Sequence, residues 1–215
     1  MTLSVGFVGL GNIGKPMALR LAGDLDLRVY DVVPEPVAEL VAAGGTAASS
    51  VAEVADVDVL CLMVRDDDQV RSVATQVLRS GAMPVVVVHS TVAPATPGEL
   101  EAMGLRVLDA PVSGGPMGAA EGTLAIMVGG DEAAYAVAQP VLERMGSKVV
   151  HAGPLGAGTR MKLARNLIHF VAFTAVTEAL REIVIFLCHY AGWPTGARLN
   201  GLVEETIAKA GREGS

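Results

Sequence analysis

The chain has 215 residues, of which 51% are apolar and 18% are charged, and its net charge is −7. This composition supplies a sizeable core and argues against a disordered chain, and the absence of a basic stripe argues against a nucleic-acid partner. Two isolated cysteines and four scattered histidines give neither a disulfide framework nor a metal site.

Short apolar runs alternate with helix-like stretches through residue 151. Runs without a polar position, such as VDVLCLMV, are typical of strands that are buried on both faces of a parallel sheet. The alternation predicts an α/β fold with a mostly parallel sheet covered by helices on both faces. The predicted strands cover 3–9, 27–31, 57–64, 84–90, 105–110, 123–130 and 147–153, and the predicted helices cover 13–23, 35–45, 66–81, 97–103 and 131–146.

The pattern changes at GPLGAG, residues 153–158, because only helical signals follow it. We therefore predict one α/β domain over 1–156 and an all-helical part over 157–215, led by a long interdomain helix. The apolar run 163–190 carries Arg165, His169, Glu178, Arg181 and Glu182, too many charges for an ordinary membrane span. The N-terminus lacks a basic region and an A-x-A cleavage site, so we expect a soluble cytoplasmic protein.

Three glycines, Gly9, Gly11 and Gly14, follow the first predicted strand and open the first predicted helix. This is G-x-G-x-x-G in a strand–turn–helix context, where the first glycine makes the turn, the second admits a pyrophosphate and the third lets helix pack on strand. The helix N-terminus offers N–H groups to the phosphates. The motif predicts a Rossmann-type dinucleotide-binding domain, with a loop formed by Gly9, Leu10, Gly11, Asn12, Ile13 and Gly14.

Asp31 ends the second predicted strand, where a carboxylate binds the ribose hydroxyls of NAD. Its charge would repel the 2′-phosphate of NADP, and no arginine or lysine follows it directly, so we expect NAD to be preferred. The alternative is an ordinary βα turn followed by an aspartate that only ends a strand. Motif, context and acidic residue together favour the cofactor site.

A second glycine-rich stretch, DAPVSGGPMGAAEGTLAIMVGG, covers 109–130. Ser113, Gly114 and Gly115 offer a hydroxyl and unencumbered backbone N–H groups in a predicted loop, which suits a carboxylate. The stretch is equally compatible with a flexible connection between strands.

Lys162 and Asn166 lie four residues apart in a predicted helix and therefore share one face. Oxidation of an alcohol by NAD needs a base for the hydroxyl proton, and a partly desolvated lysine whose pKa is lowered can serve. The asparagine can donate to the substrate oxygen. The alternative is that Lys162 belongs to the solvated side of the helix, and the neighbouring cofactor domain favours the catalytic role.

The segments GFVGLGNIGKPMA, DAPVSGGPMGAAEGTLAIMVGG and GAGTRMKLARNLI together resemble the β-hydroxyacid dehydrogenases, the family of 3-hydroxyisobutyrate dehydrogenase and tartronate semialdehyde reductase. VYDVVPEPV and HSTVAPAT are also similar to segments of that family. The similarity runs in order over about residues 5–190.

The resemblance implies a role for each matching position. Lys162 matches the catalytic lysine and Asn166 the asparagine that orients the substrate, while Asp31 matches the acidic residue of members that prefer NAD. Ser113, Gly114 and Gly115 match the segment that binds the substrate carboxylate, with Thr123 close to it; Thr91 matches a threonine near the nicotinamide, and Val64 and Arg65 match the loop that covers the cofactor.

Family members continue well past residue 215, so the helical part is expected to be a shortened one. The segment IVIFLCHYAGW is apolar on all sides and needs a cover, which predicts a homodimer or higher oligomer through the long helix.

Three functions are compatible with these features. The first is an NAD-dependent dehydrogenase of a small 3-hydroxy acid, with Lys162 as general acid/base. The second is a shortened, non-catalytic chain that binds NAD or only dimerises. The third is an imine reductase, a related family that usually carries another residue at the lysine position. The joint presence of Lys162, Asn166 and Ser113 favours the dehydrogenase.

Overall fold

The computed structural model describes residues 3–190 together with Gly201 and Glu204. The strands in this part of the chain are β1 (Ser4–Val8), β2 (Asp26–Tyr30), β3 (Thr46–Ala47), β4 (Val59–Leu62), β5 (Val85–Val88), β6 (Arg106–Asp109), β7 (Val112–Ser113), β8 (Ala125–Gly129) and β9 (Lys148–Gly153). The helices are α1 (Gly14–Leu19), α2 (Pro34–Ala42), α3 (Val51–Val54), α4 (Asp67–Ser80), α5 (Thr96–Ala102), α6 (Gly115–Glu121), α7 (Glu132–Met145) and α8 (Ala157–Tyr190).

The strands form one mostly parallel sheet in the order β3-β2-β1-β4-β5-β6-β8-β7, with β9 paired to β8. Strands β1 to β6 are parallel, whereas β8 runs antiparallel to β6 and β7. The order of the first six is that of a doubly wound dinucleotide-binding fold, and it reverses between β1 and β4. The predicted Rossmann-type α/β fold is confirmed.

Each central strand is buried on both faces, as its uninterrupted apolar sequence predicts. In β5, Val85 and Val87 point into one core and Val86 and Val88 into the other. The first core is closed by α1, α2, α6 and α7, and the second by α3, α4 and α5. Successive side chains of one strand therefore pack against helices on opposite sides of the sheet.

All seven predicted strands are present, and four short elements were not predicted. Strands β3 and β7 have two residues each and α3 has four, too few for a periodic pattern to emerge. Helix α6 lies in the glycine-rich stretch, where glycine content masks the helical signal. The predicted helix 13–23 ends earlier, at Leu19, and turns lead from there to β2.

Helix α8 has 34 residues and belongs to two compact units, whose boundary lies between Lys162 and Leu163. Within the described ranges, no helix is both long and apolar enough to cross a membrane. The predicted all-helical part beyond residue 190 lies outside the described residues, apart from Gly201 and Glu204.

Candidate functional site

The carboxyl ends of the parallel strands β1, β4, β5 and β6 meet at one edge of the sheet, where open α/β sheets bind their ligands. The residues that follow these strands are Gly9, Met63, His89 and Ala110. The predicted cofactor residues all lie in the loops at this edge or at the start of α1.

Close backbone contacts explain why two positions of the glycine loop, Gly9 and Gly14, lack a side chain. Gly9 has φ +93°, and a Cβ there would overlap the Met63 carbonyl oxygen. A Cβ on Gly14 would overlap the Gly9 carbonyl oxygen, so this glycine lets α1 approach β1. A Cβ on Gly11 would meet nothing within 4 Å. Protein packing therefore does not require Gly11, and the open space above it fits a pyrophosphate that approaches the backbone.

Asp31 is held at the end of β2 by two backbone donors. Its Oδ2 accepts from the N–H of Leu10 at 2.5 Å, and its Oδ1 accepts from the N–H of Val33 at 2.9 Å. These bonds tie the carboxylate to the glycine loop. Val32, the next residue, is 86% exposed and carries no charge.

A cavity of about 460 Å³ opens between the glycine loop, the end of β2 and the start of α4. It brings together five of the predicted cofactor residues, and Lys162, Ser113 and Thr123 are not among its lining residues. The five are Gly9, Gly11, Asp31, Val64 and Arg65, with Tyr30, Val32, Met63, Gln69 and Gln76 among the other lining residues.

The loops after β4 and β5 are tied to each other. The Ser90 hydroxyl donates to the Val64 carbonyl at 2.7 Å and accepts from the Val64 N–H at 3.0 Å. Asp67, the first residue of α4, accepts from the Ala93 N–H at 3.0 Å and from the Thr96 hydroxyl. The bond from Thr96 holds the pKa of Asp67 below its usual value. Thr91, which is exposed, thus lies between two anchored positions.

His89 is buried beside this loop. Its Nδ1 lies 2.9 Å from the Ala110 carbonyl oxygen, and its ring stacks on Phe7 with 6.4 Å between centroids. Its Nε2 has no hydrogen-bond partner in the described part of the chain. Burial lowers the pKa of His89 from 6.5 to about 4, so the ring is neutral near pH 7 and Nδ1 carries the donated proton.

The segment Ser113–Gly115 is not the simple loop that the sequence predicts. Ser113 ends β7, and Gly115 begins α6. Gly114 and Gly115 have φ of +137° and +62°, a backbone conformation that side chains disfavour, and Pro116 in the first turn of α6 favours a helix start here. Ser113 remains half-buried and Thr123, after α6, is exposed.

The start of α8 is bonded to the end of β6 through Asp109, a residue that sequence analysis did not single out. The Asp109 carboxylate is fully buried and accepts from the N–H of Gly156 at 2.7 Å and from the N–H of Thr159 at 2.5 Å. Lys162 follows Thr159 by three residues, within one helical turn. Lys162 is only 8% exposed, as expected for a partly desolvated lysine and not for the alternative of a lysine on the solvated side of the helix.

Asn166 also lies on α8, in the second unit, and is half-buried. Its Oδ1 accepts from the Arg165 guanidinium at 3.3 Å. Across the described ranges, no three histidine, cysteine, aspartate or glutamate side chains are grouped as metal ligands would be.

Comparison with known proteins agrees with this architecture. The family model for the NAD binding domain of 6-phosphogluconate dehydrogenase matches residues 4–153. The fold, the glycine loop and this match define a Rossmann-type NAD-binding domain.

Relatives extend the comparison into α8. An uncharacterized oxidoreductase of Mycobacterium tuberculosis is 46% identical over 192 residues, which are 84% of this chain and 64% of that protein. The NAD-dependent L-serine dehydrogenase of Pseudomonas aeruginosa is 41% identical over 187 residues, 82% of this chain and 62% of that protein. The chain thus spans less than two thirds of the length of these relatives.

A solved structure completes the comparison. Mycobacterium tuberculosis 3-hydroxyisobutyrate dehydrogenase, determined with L-serine, is 36% identical and has a TM-score of 0.80, covering 91% of this chain and 68% of that one. The chain belongs to the β-hydroxyacid dehydrogenase family.

Proposed function

We propose that the protein is an NAD-dependent oxidoreductase that interconverts a small 3-hydroxy acid and its semialdehyde or keto acid. The observation that carries this proposal is the burial of Lys162 one turn after the point where α8 is bonded to the carboxyl edge of the sheet. Burial of a lysine is uncommon, because its charge is costly to desolvate. A desolvated lysine suits proton transfer beside a nicotinamide.

Asp31 is the basis for proposing NAD over NADP. Its carboxylate is fixed by Leu10 and Val33, and Val32 and Val33 place no cation next to it. Arg65 lines the same cavity, but its guanidinium lies 3.5 Å from the carboxylate of Asp66. A 2′-phosphate would therefore meet the Asp31 charge without a dedicated counter-ion.

We propose Ser113, Gly114 and Gly115 as the cradle of the substrate carboxylate, with Thr123 beside it. Ser113 offers a hydroxyl, and the two glycines offer backbone N–H groups in successive positive-φ conformations.

In the proposed reaction, bound NAD supplies the hydride acceptor. Lys162, in its neutral form, takes the hydroxyl proton as the alcohol is oxidised and returns a proton to the carbonyl oxygen in the reverse direction. Burial disfavours the charged form of a lysine, which suits this exchange. Asn166 is proposed to hold the substrate oxygen through its amide. Thr91, Val64 and Arg65 are proposed to border the cofactor.

The test is NADH formation at 340 nm with NAD and NADP in parallel. The panel contains 3-hydroxyisobutyrate, L-serine, 3-hydroxypropionate, glycerate and 4-hydroxybutyrate, with semialdehydes or glyoxylate in the reverse direction. Lys162→Ala is expected to lower kcat by at least about a hundredfold. The matched control is Lys148→Ala, because Lys148 is exposed on the edge strand β9.

Turnover that requires NAD and is lost in Lys162→Ala alone would support the proposal. NADH binding without turnover of any acid would instead identify a non-catalytic nucleotide-binding chain. Equal kcat values in Lys162→Ala and Lys148→Ala would remove Lys162 from the reaction.

A further inference from the structure

We propose that Asp109 is a positioning residue for Lys162: its carboxylate fixes the first turn of α8 on the sheet and so sets where the lysine stands. This inference rests on the proposed role of Lys162. It assigns to Asp109 no contact with substrate or cofactor.

In the described part of the chain, both oxygens of the Asp109 carboxylate accept hydrogen bonds from the start of α8. Oδ1 accepts from the N–H of Gly156 and Oδ2 from the N–H of Thr159, so each oxygen holds one of the N–H groups that the start of a helix leaves unpaired. The carboxylate also lies at the N-terminal end of α8, where a negative group stabilises a helix through its dipole.

Two other aspartates show what ordinary caps look like in this chain. Asp66 caps α4 through the N–H of Gln69, and Asp131 caps α7 through the N–H of Ala134. Both are partly exposed and lie three residues from their bonded partner. Asp109 is 0% exposed and lies 47 and 50 residues from its two partners. Asp109 therefore joins β6 and α8 through backbone donors, whereas the backbone bonds of the other two stay within one helix, and Asp131 adds only a partly exposed ion pair with Arg106.

Close packing restricts the same turn further. A Cβ on Gly158 would overlap the Met127 carbonyl oxygen and lie 2.7 Å from that of Asp109. A Cβ on Gly129, in β8, would lie 2.8 Å from the N of Ala157. The first turn of α8 is thus in close contact with the backbones of β6 and β8.

The position of Lys162 depends on this first turn of α8. It follows Thr159 by three residues, which is about 4.5 Å along the helix axis. A displacement of about 1 Å at a reacting group can cost about a hundredfold in rate. Loosening of the first turn should therefore reduce kcat, while the affinity for the cofactor at the distant glycine loop should change less.

The experiment compares Asp109→Asn with Asp131→Asn as the control cap variant, in the 215-residue chain. Asparagine keeps the shape of the side chain but offers one acceptor where the carboxylate offers two. We expect Asp109→Asn to lower kcat about 10-fold to 100-fold while the Kd for NADH changes less than about twofold. Asp131→Asn should leave both unchanged. Asp109→Ser, whose hydroxyl can still accept one bond, is the second variant if Asp109→Asn does not fold.

Two further measurements separate positioning from general stability. Amide hydrogen exchange, followed by mass spectrometry, should become faster in peptides over 156–162 and remain unchanged over 9–19 in Asp109→Asn. In the double variant with Lys162→Ala, the Asp109 substitution should cause no further loss of kcat, because it acts through the lysine.

Unchanged exchange over 156–162 would overturn the inference whatever the activity. An equal loss of kcat in the presence and absence of Lys162 would overturn it as well. If the wild-type chain shows no turnover, the proposed function is refuted, and so is a catalytic effect of Asp109. Faster exchange in Asp109→Asn would then show only that Asp109 anchors the first turn of α8.

Discussion

The Asp31 carboxylate accepts a hydrogen bond of 2.5 Å from the backbone N–H of Leu10. The bond joins the end of β2 to the glycine loop, 21 residues earlier in the chain. The residue proposed to choose between NAD and NADP therefore also supports the glycine loop.

We predict that Asp31→Asn reverses part of the cofactor preference. Loss of the charge removes the repulsion of a 2′-phosphate and weakens the bond to the ribose hydroxyls. The ratio of NADPH to NADH affinity should rise about tenfold to hundredfold. Fluorescence titration with both reduced cofactors measures it without turnover. Asp26→Asn, in the exposed first position of the same strand, is the control; a ratio that stays at the wild-type value would refute the assignment.

Gly11 and Gly14 are predicted to respond to alanine in opposite ways. Gly11→Ala should leave the thermal unfolding temperature nearly unchanged, because its Cβ meets nothing, and should weaken NADH binding by at least about tenfold. Gly14→Ala should lower the unfolding temperature sharply, because its Cβ overlaps the Gly9 carbonyl. Calorimetry and NADH titration on both variants check this. Full NADH affinity in Gly11→Ala would show that no ligand uses the open space.

Acid is predicted to destabilise the fold through His89. The folded pKa of about 4 lies below the unfolded value of 6.5, so the unfolded state binds the proton first. The stability that the neutral ring contributes is complete above pH 6.5 and is lost as the pH falls towards 4. The free energy of unfolding should drop by about 2 kcal/mol from this residue between pH 7.5 and 5.

Urea unfolding at the two pH values measures this loss. His89→Asn keeps a donor for the Ala110 carbonyl and removes the titration, so its pH dependence should be flatter by that amount. An identical slope in wild type and variant would place the acid sensitivity elsewhere.

Cys61 is predicted to be inert in the native state. Burial in β4 raises the pKa of its thiol to about 12, which lowers the thiolate fraction about a thousandfold from a pKa of 9.0. A thiol reagent at pH 8 should label it only after denaturant is added. Cys188→Ser isolates this signal, since the remaining thiol is then Cys61. Rapid native labelling of that variant would contradict the burial.

Self-association through α8 remains a prediction. Leu167, Ile168 and Phe170 are each more than 60% exposed, and several exposed apolar side chains on one helix favour a partner that covers them. Light scattering at micromolar concentration should give a dimer or larger species, and Ile168→Glu should shift it towards the monomer. Glu182→Gln, on the same helix, is the control. A monomeric wild-type chain would refute the prediction.

The features that sequence predicted best are those whose signals are local. The glycine loop, Asp31 and the buried strands are each recognised within about ten residues, and the structure brings the loop, Asp31, Val64 and Arg65 to one cavity. Helix α6 was missed because its glycines oppose the helical signal. Asp109 was missed because its role depends on partners 47 and 50 residues away, and an aspartate at the end of a strand gives no sign of them.

The bond between Asp109 and α8 also has a consequence for the order of folding. The glycine loop and Asp31 are joined by contacts within the first third of the chain. The bond between Asp109 and Gly156 instead closes a loop of 47 residues, which contains β7, α6, β8, α7 and β9. The residues that line the cavity lie within 8–76, so a growing chain already carries them before Asp109 and Gly156 have been synthesised. During synthesis the cavity can therefore form before the bond that fixes the start of α8 is possible.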